Sequence, residues 1–234
     1  MSKLIVAAHQ PNFMPNLGFF YKMIRADIFV LITNIQFERE EGWQRRNKLK
    51  GSNGDVWLTV PVLGSQNQLI KNVRIDNTKN WQRKHIRTLE LNYGKCIDKN
   101  LLRKINKLYA TKLERLADIN IEMIKILKEC LGINTKLFVD EEVCGKKQDL
   151  LIKICKKYDA DSYLSGGGAK SYMTKEYFQD LESNGFEHEF IEYGPSGNEY
   201  PYSAVHYILK SGEKEANKIL RGEKCVREVL QVTR

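Results

Sequence analysis

The stretch from Ile5 to Phe37 constrains the fold more than any other part of the chain, because it reads strand, polar elbow, helix, strand. Leu4 to Ala8 is a short apolar run that breaks abruptly into His9-Gln10-Pro11-Asn12. A second run, Ile28-Phe29-Val30-Leu31-Ile32, ends in Thr33-Asn34-Ile35-Gln36-Phe37, and a helix is expected between the two, from Asn16 to Ala26. In an open parallel sheet the carboxyl ends of neighbouring strands face one crevice, where ligands bind. His9, Gln10, Asn12, Asn34 and Gln36 are therefore expected to converge on a small-molecule site. A first strand needs no imidazole or carboxamides at its tip for stability.

The rest of the chain continues the rhythm with one interruption. Val56 to Val62 is rich in β-branched and aromatic residues and reads as a strand, and Lys71 to Asp76 reads as another. Across 81–131 apolar residues recur at helical spacing, among them Leu101, Ile105, Leu108, Ile124 and Leu127, giving two or three helices. Then follow a strand (Thr135 to Val139), a helix (Lys147 to Tyr158), a strand (Ser162 to Leu164) and a Ser165-Gly166-Gly167-Gly168 turn. A helix (Tyr172 to Asn184), a strand (Phe190 to Tyr193) and two helices (Ser203 to Leu209, Glu213 to Leu220) close the chain. Strands alternating with helices imply a mainly parallel sheet flanked by helices, a Rossmann-like α/β fold. The chain is expected to be one α/β domain over 1–234, with 81–131 a helical insertion or cap.

Composition excludes more than it assigns. No apolar run approaches the ~20 residues that span a bilayer, and the N-terminal strand lacks a signal-peptide pattern, so a cytoplasmic protein is expected. The five cysteines are odd in number, scattered and form no C-x-x-C pair, against both a zinc ribbon and a disulfide framework. Most are expected to be reduced apolar fillers. The net charge of +9 suits nucleic acid, acidic sugar nucleotides or anionic lipid, or no partner at all.

Four clusters carry possible chemistry. In the elbow, Pro11 fixes its own φ and pushes Gln10 into an extended conformation, aiming the flanking side chains out of the strand end. His9 has the unperturbed pKa that suits a general base near neutrality. In Trp43-Gln44-Arg45-Arg46-Asn47-Lys48-Leu49-Lys50, four cations, an aromatic and two amides suit a phosphate or carboxylate, with Trp43, Arg46 and Asn47 as candidate contacts; the plainer reading is a solvated basic loop. Ser165, Gly166, Gly167, Gly168 and Lys170 form a glycine-rich turn whose N–H groups suit a phosphate, although it matches no nucleotide motif. His85, one helical turn from Trp81, faces the crevice if the cap closes, or else packs at a helix start. It is the second catalytic candidate. His188 and His206 read as structural. No metal-ligand spacing appears, and no cofactor can be named.

These residues resemble the WbqC-like proteins of bacterial surface-polysaccharide gene clusters. The likeness runs from about Ile5 to Leu220. It rests on His9-Gln10-Pro11-Asn12, Pro15, Leu17-Gly18, Lys22, Ala26-Asp27, Phe29 and Gln36-Phe37, then Trp43, Arg46-Asn47, Lys50 and Trp57 to Val62. Trp81, Lys84-His85, Tyr93, Tyr163 to Gly166 with Gly168, Tyr172 and Tyr200-Pro201 complete it. The chain departs from the pattern at Ala169-Lys170 and at His206, which stands where an acidic residue is usual. The resemblance implies a cytoplasmic transferase that decorates sugars for O-antigen and related glycans, by acyl or aminoacyl transfer to an amino sugar or sugar nucleotide. A weaker likeness, in Gln10-Pro11-Asn12 and Leu17-Gly18, points to an ATP-dependent ligase or nucleotidyltransferase, without the paired histidines of that turn. A rival of another class is a nucleic-acid-binding module. Against it, Phe29, Phe37 and Trp57 lie in core-like strand patterns, away from any exposed basic stripe. The expected partner is thus an anionic small molecule, with no membrane and with the oligomeric state open.

Overall fold

In this computed structural model, which describes residues 3–38, 42–64, 67–94, 99–166, 180–193 and 201–222, the first two apolar runs form adjacent strands. Strand β1 (Ile5–His9) pairs in parallel with β2 (Ile28–Ile32), in register Val6↔Ile28 through His9↔Leu31. All five residues of β2 are buried, as expected for a parallel strand covered on both faces. Helix α1 (Leu17–Ile24) connects them, and the Asn16 side chain accepts the Phe19 N–H as its N-cap.

Strands β5 (Lys136–Asp140), β6 (Ser162–Gly166) and β7 (Glu187–Ile191) complete a five-stranded, wholly parallel sheet ordered β5-β2-β1-β6-β7. The chain thus builds outward from β1 to one edge, then returns and builds to the other, the doubly wound order of a Rossmann-like fold. The order reverses between β1 and β6. Their pairing covers only Ile5↔Ser162 and Val6↔Tyr163, while β1 stays paired with β2 through His9. Beyond Val6 the two strands part, and their carboxyl ends open.

Helices cover both faces. Helix α5 (Lys147–Lys157) packs on Val6, Ala8, Val30 and Tyr163. The opposite face carries α1 together with α2 (Trp81–Tyr93), α3 (Asn100–Ala110), α4 (Leu116–Cys130), α6 (Ala204–Ser211) and α7 (Glu213–Leu220), whose apolar stripes join one hydrophobic cluster. Among the described residues no helix is long and apolar enough to cross a membrane. Cys130 and Cys155 are buried thiols and Cys144 is exposed.

Several local expectations are corrected. The basic segment 43–50 is no loop: Arg46–Gly51 is β3, antiparallel to β4 (Gly54–Thr59) in a separate two-stranded hairpin. The expected strand from Lys71 to Asp76 is a 3₁₀ turn at Ile70–Asn72 followed by isolated bridges of Ile75 to Val62 and Arg74 to Arg115. Ser165 and Gly166 belong to β6 rather than to a turn, and the last strand lies at Glu187–Ile191, ahead of the expected 190–193. Most of the expected 172–184 helix lies outside the described residues.

Candidate functional site

The opening between β1 and β6 is the topological switch point, and His9 stands at its rim. The His9 Nδ1 lies 2.8 Å from the Gln10 carbonyl. A carbonyl only accepts, so Nδ1 carries the proton and Nε2 keeps its lone pair. The ring packs edge-on against Phe19 at 5.0 Å. Burial, and then the nearby Lys22 ammonium, push the imidazole down to about 3. This corrects the expectation of a general base poised near neutrality: at pH 7 His9 is a neutral hydrogen-bond acceptor.

Lys22 was not among the candidates, and it is the most unusual group here. It projects from the last turn of α1 and is 9% exposed. Its Nζ donates to the Ala8 carbonyl at 2.8 Å and lies 5.8 Å from the centre of the Phe29 ring. Tyr163 Oη reaches the same carbonyl at 3.4 Å. A β6 N–H would take this carbonyl if the β1–β6 ladder continued, so the ammonium occupies the gap where the strands part. No carboxylate pairs with it among the described residues, and burial lowers it to about 8. The signal in the sequence is a lone lysine among Phe19, Phe20 and Met23 on an otherwise apolar helix.

The elbow itself is held by carboxamides. Asn47, 3% exposed on β3, donates through Nδ2 to the carbonyls of Phe13 (3.3 Å) and Met14 (2.8 Å) and accepts the Lys48 N–H through Oδ1. These bonds hold Met14 at a φ of 44°, left-handed backbone that a long side chain seldom adopts. The substrate-binding role expected for Asn47 is therefore corrected to an architectural one, since both ends of its carboxamide are used. Asn47→Ala is expected to cost about 2–3 kcal/mol by stranding buried carbonyls, lowering the thermal midpoint by about 6–10 °C. A shift within a degree or two would mean the elbow is held by other contacts.

Asn120, on α4, donates through one Nδ2 to the carbonyls of Pro11 (2.8 Å) and Gln44 (2.6 Å). Gln44 donates in turn to Gln10 Oε1 at 2.9 Å, so the amide end of Gln10 is what it can offer a ligand. Asn12 Oδ1 and Asn120 Oδ1 are buried and receive no hydrogen bond from the described chain. Two unmet acceptors at one elbow are costly, about 1–3 kcal/mol each. They invite a donor-bearing ligand.

The other candidates do not join this group. Asn34 donates to the Glu142 carbonyl at 3.0 Å, on the β5 side of β1, and Gln36 is exposed and bridges Leu69. The single crevice expected to hold Asn34 and Gln36 with His9 is corrected accordingly. His85 is 5% exposed, accepts the Thr59 N–H at 3.1 Å through Nε2, and contacts Tyr109 Oη at 3.2 Å through Nδ1. Burial lowers it to about 4. With both nitrogens engaged it ties α2 to β4 and α3, so the catalytic expectation is withdrawn. Trp43 and Trp57 stack on the hairpin at 5.9 Å, with the Arg46 guanidinium 5.0 Å from the Trp57 ring. Trp57 is 47% exposed, contrary to its core-like pattern, whereas Phe29 and Phe37 are buried. Ser165 Oγ lies 2.8 Å from His188 Nε2, and a Cβ on Gly166 would meet nothing within 4 Å among the described residues. Gly167, Gly168 and Lys170 lie outside the described residues.

The model of the WbqC-like protein family matches residues 10–208, from just past His9 to the middle of α6. The chain belongs to the WbqC-like family. A relative from Mycobacterium tuberculosis (strain ATCC 25618 / H37Rv), the uncharacterized protein Rv1507c, is 31% identical over 182 residues, 75% of this chain and 78% of the relative. No solved structure matches. The WbqC-like match thus begins just after β1 and spans the elbow, the hairpin, the helical block and β6 together.

Proposed function

We propose that the chain is a cytoplasmic enzyme of bacterial surface-polysaccharide biosynthesis that binds an anionic small molecule, a sugar nucleotide, at the β1–β6 switch point. The reaction is acyl or aminoacyl transfer to an amino sugar. The observation that supports this most is the Lys22 ammonium, buried without a carboxylate where the strands part. A buried cation of this kind is stabilised by an incoming phosphate or carboxylate. His9 Nε2 accepts the N–H or O–H of the sugar nucleophile and orients it. Asn12 Oδ1 and the Gln10 amide fix neighbouring sugar groups, and Gly166 leaves room beside them. In this reading the whole chain works as one α/β unit, with 81–131 an insertion whose Asn120 props the elbow.

A thermal-shift screen tests the reading, because a ligand that binds only the native state raises the midpoint by mass action. A uridine diphosphate amino sugar is expected to raise it, and the rise is expected to vanish in Lys22→Met and shrink in His9→Ala. ATP alone giving the rise would favour the ligase or nucleotidyltransferase reading. RNA or DNA retention that falls steeply with salt, with no response to sugar nucleotides, would overturn the enzyme altogether.

A further inference from the structure

A second cavity, of about 450 Å³, lies between β4 and the start of α2 and is lined by Arg45, Trp57, Thr59, Lys79, Trp81 and Lys84, among others. None of its lining residues belongs to the switch point. Its volume falls in the range of ordinary small-molecule sites, about 300–1,000 Å³. Its chemistry is one-sided. Among the described residues Arg45, Lys79 and Lys84 line it and no carboxylate does. Asp76, the acid near Lys79, is outside the lining and its Oδ1 is held by Thr78. The α2 N-terminus opens onto the same place with no acid in its first turn and no side-chain cap bond from Asn80, so the helix dipole adds to the positive field.

The remaining walls are apolar and stiff. Trp57, Leu58 and Pro61 form one side, and the Trp57 indole is propped by Trp43 and by the Arg46 guanidinium. Trp81 is 3% exposed, packs edge-on against His85 and Tyr109, and its Nε1–H meets no acceptor in the described chain. Cations beside a rigid indole suit a ligand that is anionic at one end and presents a ring at the other.

We propose that this cleft is a second ligand site, separate from the switch point, that takes a phosphate-bearing ring compound, either a nucleotide or a sugar phosphate. Phosphate oxygens meet Arg45, Lys79 and Lys84, and the ring lies against Trp57 and Pro61.

Calorimetric titration and tryptophan fluorescence test it, with uridine diphosphate and glucose 1-phosphate as probes and with uridine and inorganic phosphate as their halves. At least one full probe is expected to bind, about tenfold or more tighter than either half. Lys79→Ala combined with Lys84→Ala is expected to weaken that binding about tenfold or more, as is Trp57→Ala. All three residues are exposed, so circular dichroism should stay that of the native fold. Lys22→Met should leave cleft binding intact. Uridine diphosphate alone binding identifies a nucleotide, and glucose 1-phosphate alone a sugar phosphate. Two binding events, one lost in Lys22→Met and one in the cleft variants, support both sites. Failure of both probes to bind, or binding that the cleft variants leave unchanged, overturns the cleft and leaves the switch-point reading to its own test.

Discussion

Lowering the pH from 7 toward 3 is expected to unfold this protein cooperatively, with a midpoint between about pH 5.5 and 3. His85 and His206 are buried, and burial lowers them to about 4 and about 3; His9, partly exposed, is lowered to about 3. The unfolded chain protonates its histidines near 6.5, whereas the folded state refuses the proton until far lower pH. A depressed folded pKa means stability that is fully present above 6.5 and lost as pH falls below it. Each buried histidine removes up to about 1.4 kcal/mol per pH unit, so two to three of them remove about 3–4 kcal/mol per unit. The lower half of the usual range of domain stabilities, about 5–10 kcal/mol, is exhausted within about one to three and a half such units. His188 is only half-buried and adds less. Circular dichroism followed across the range should report uptake of two to three protons on unfolding. His206→Gln, which removes one titrating group, should lower that uptake by about one. A fold that keeps its midpoint stability unchanged down to pH 4 would show that these rings are far more hydrated than their packing implies.

What the sequence reveals of this fold is the part written in local periodicity. The β1-elbow-α1-β2 unit is legible because each apolar run is short, each ends in hydrogen-bonding residues, and Asn16 is a ready N-cap. Helix α7 lies at its expected bounds, after Gly212 and with Glu213 and Glu215 in its first turn. Strand β3 hides because its charges dominate the eye. Yet Arg46, Lys48 and Lys50 alternate with the buried pair Asn47 and Leu49, the period of a half-covered strand. The 71–76 segment shows the reverse error: its alternation is real, but Val73 and Ile75 are buried by packing against α4 and Val62, without a ladder partner.

The site was legible only where chemistry and local position coincide. His9, Gln10 and Asn12 announce themselves by standing at a strand end before a proline. The true state of His9 does not, since its pKa depends on burial and on a lysine thirteen residues away. Asn47 and His85 look like binding residues by composition. Their partners, Met14 and Phe13 for one and Thr59 and Tyr109 for the other, lie 24 to 34 positions distant. A satisfied buried amide and a free one are spelled alike in one dimension.

Lys22→Met is expected to separate binding from stability in opposite directions. The folded ammonium titrates near 8 against 10.5 unfolded, so the native state disfavours the charge. Between about pH 8 and 10.5 the unfolded state holds the extra proton, and wild-type stability therefore rises with pH across that window. Two and a half units correspond to about 3 kcal/mol, a penalty fully present at pH 7 and relieved toward pH 10.5. Methionine fills much of the same space and carries no charge. Its loss is the bond to the Ala8 carbonyl, about 1 kcal/mol, which Tyr163 Oη is placed to offset in part. The variant should hence be more stable than wild type at pH 7 by about 1–2 kcal/mol, with the advantage gone by pH 10.5. Stabilisation by a sugar nucleotide should disappear from it at every pH. Lys22→Arg, which keeps a charge that cannot be shed, should show the neutral-pH penalty without relief at high pH, and a weakened ligand response. A gain that already shrinks with rising pH well below pH 7 would mean that the folded wild-type amine is neutral at pH 7. A cation at the switch point would then be lost, and the anionic substrate with it.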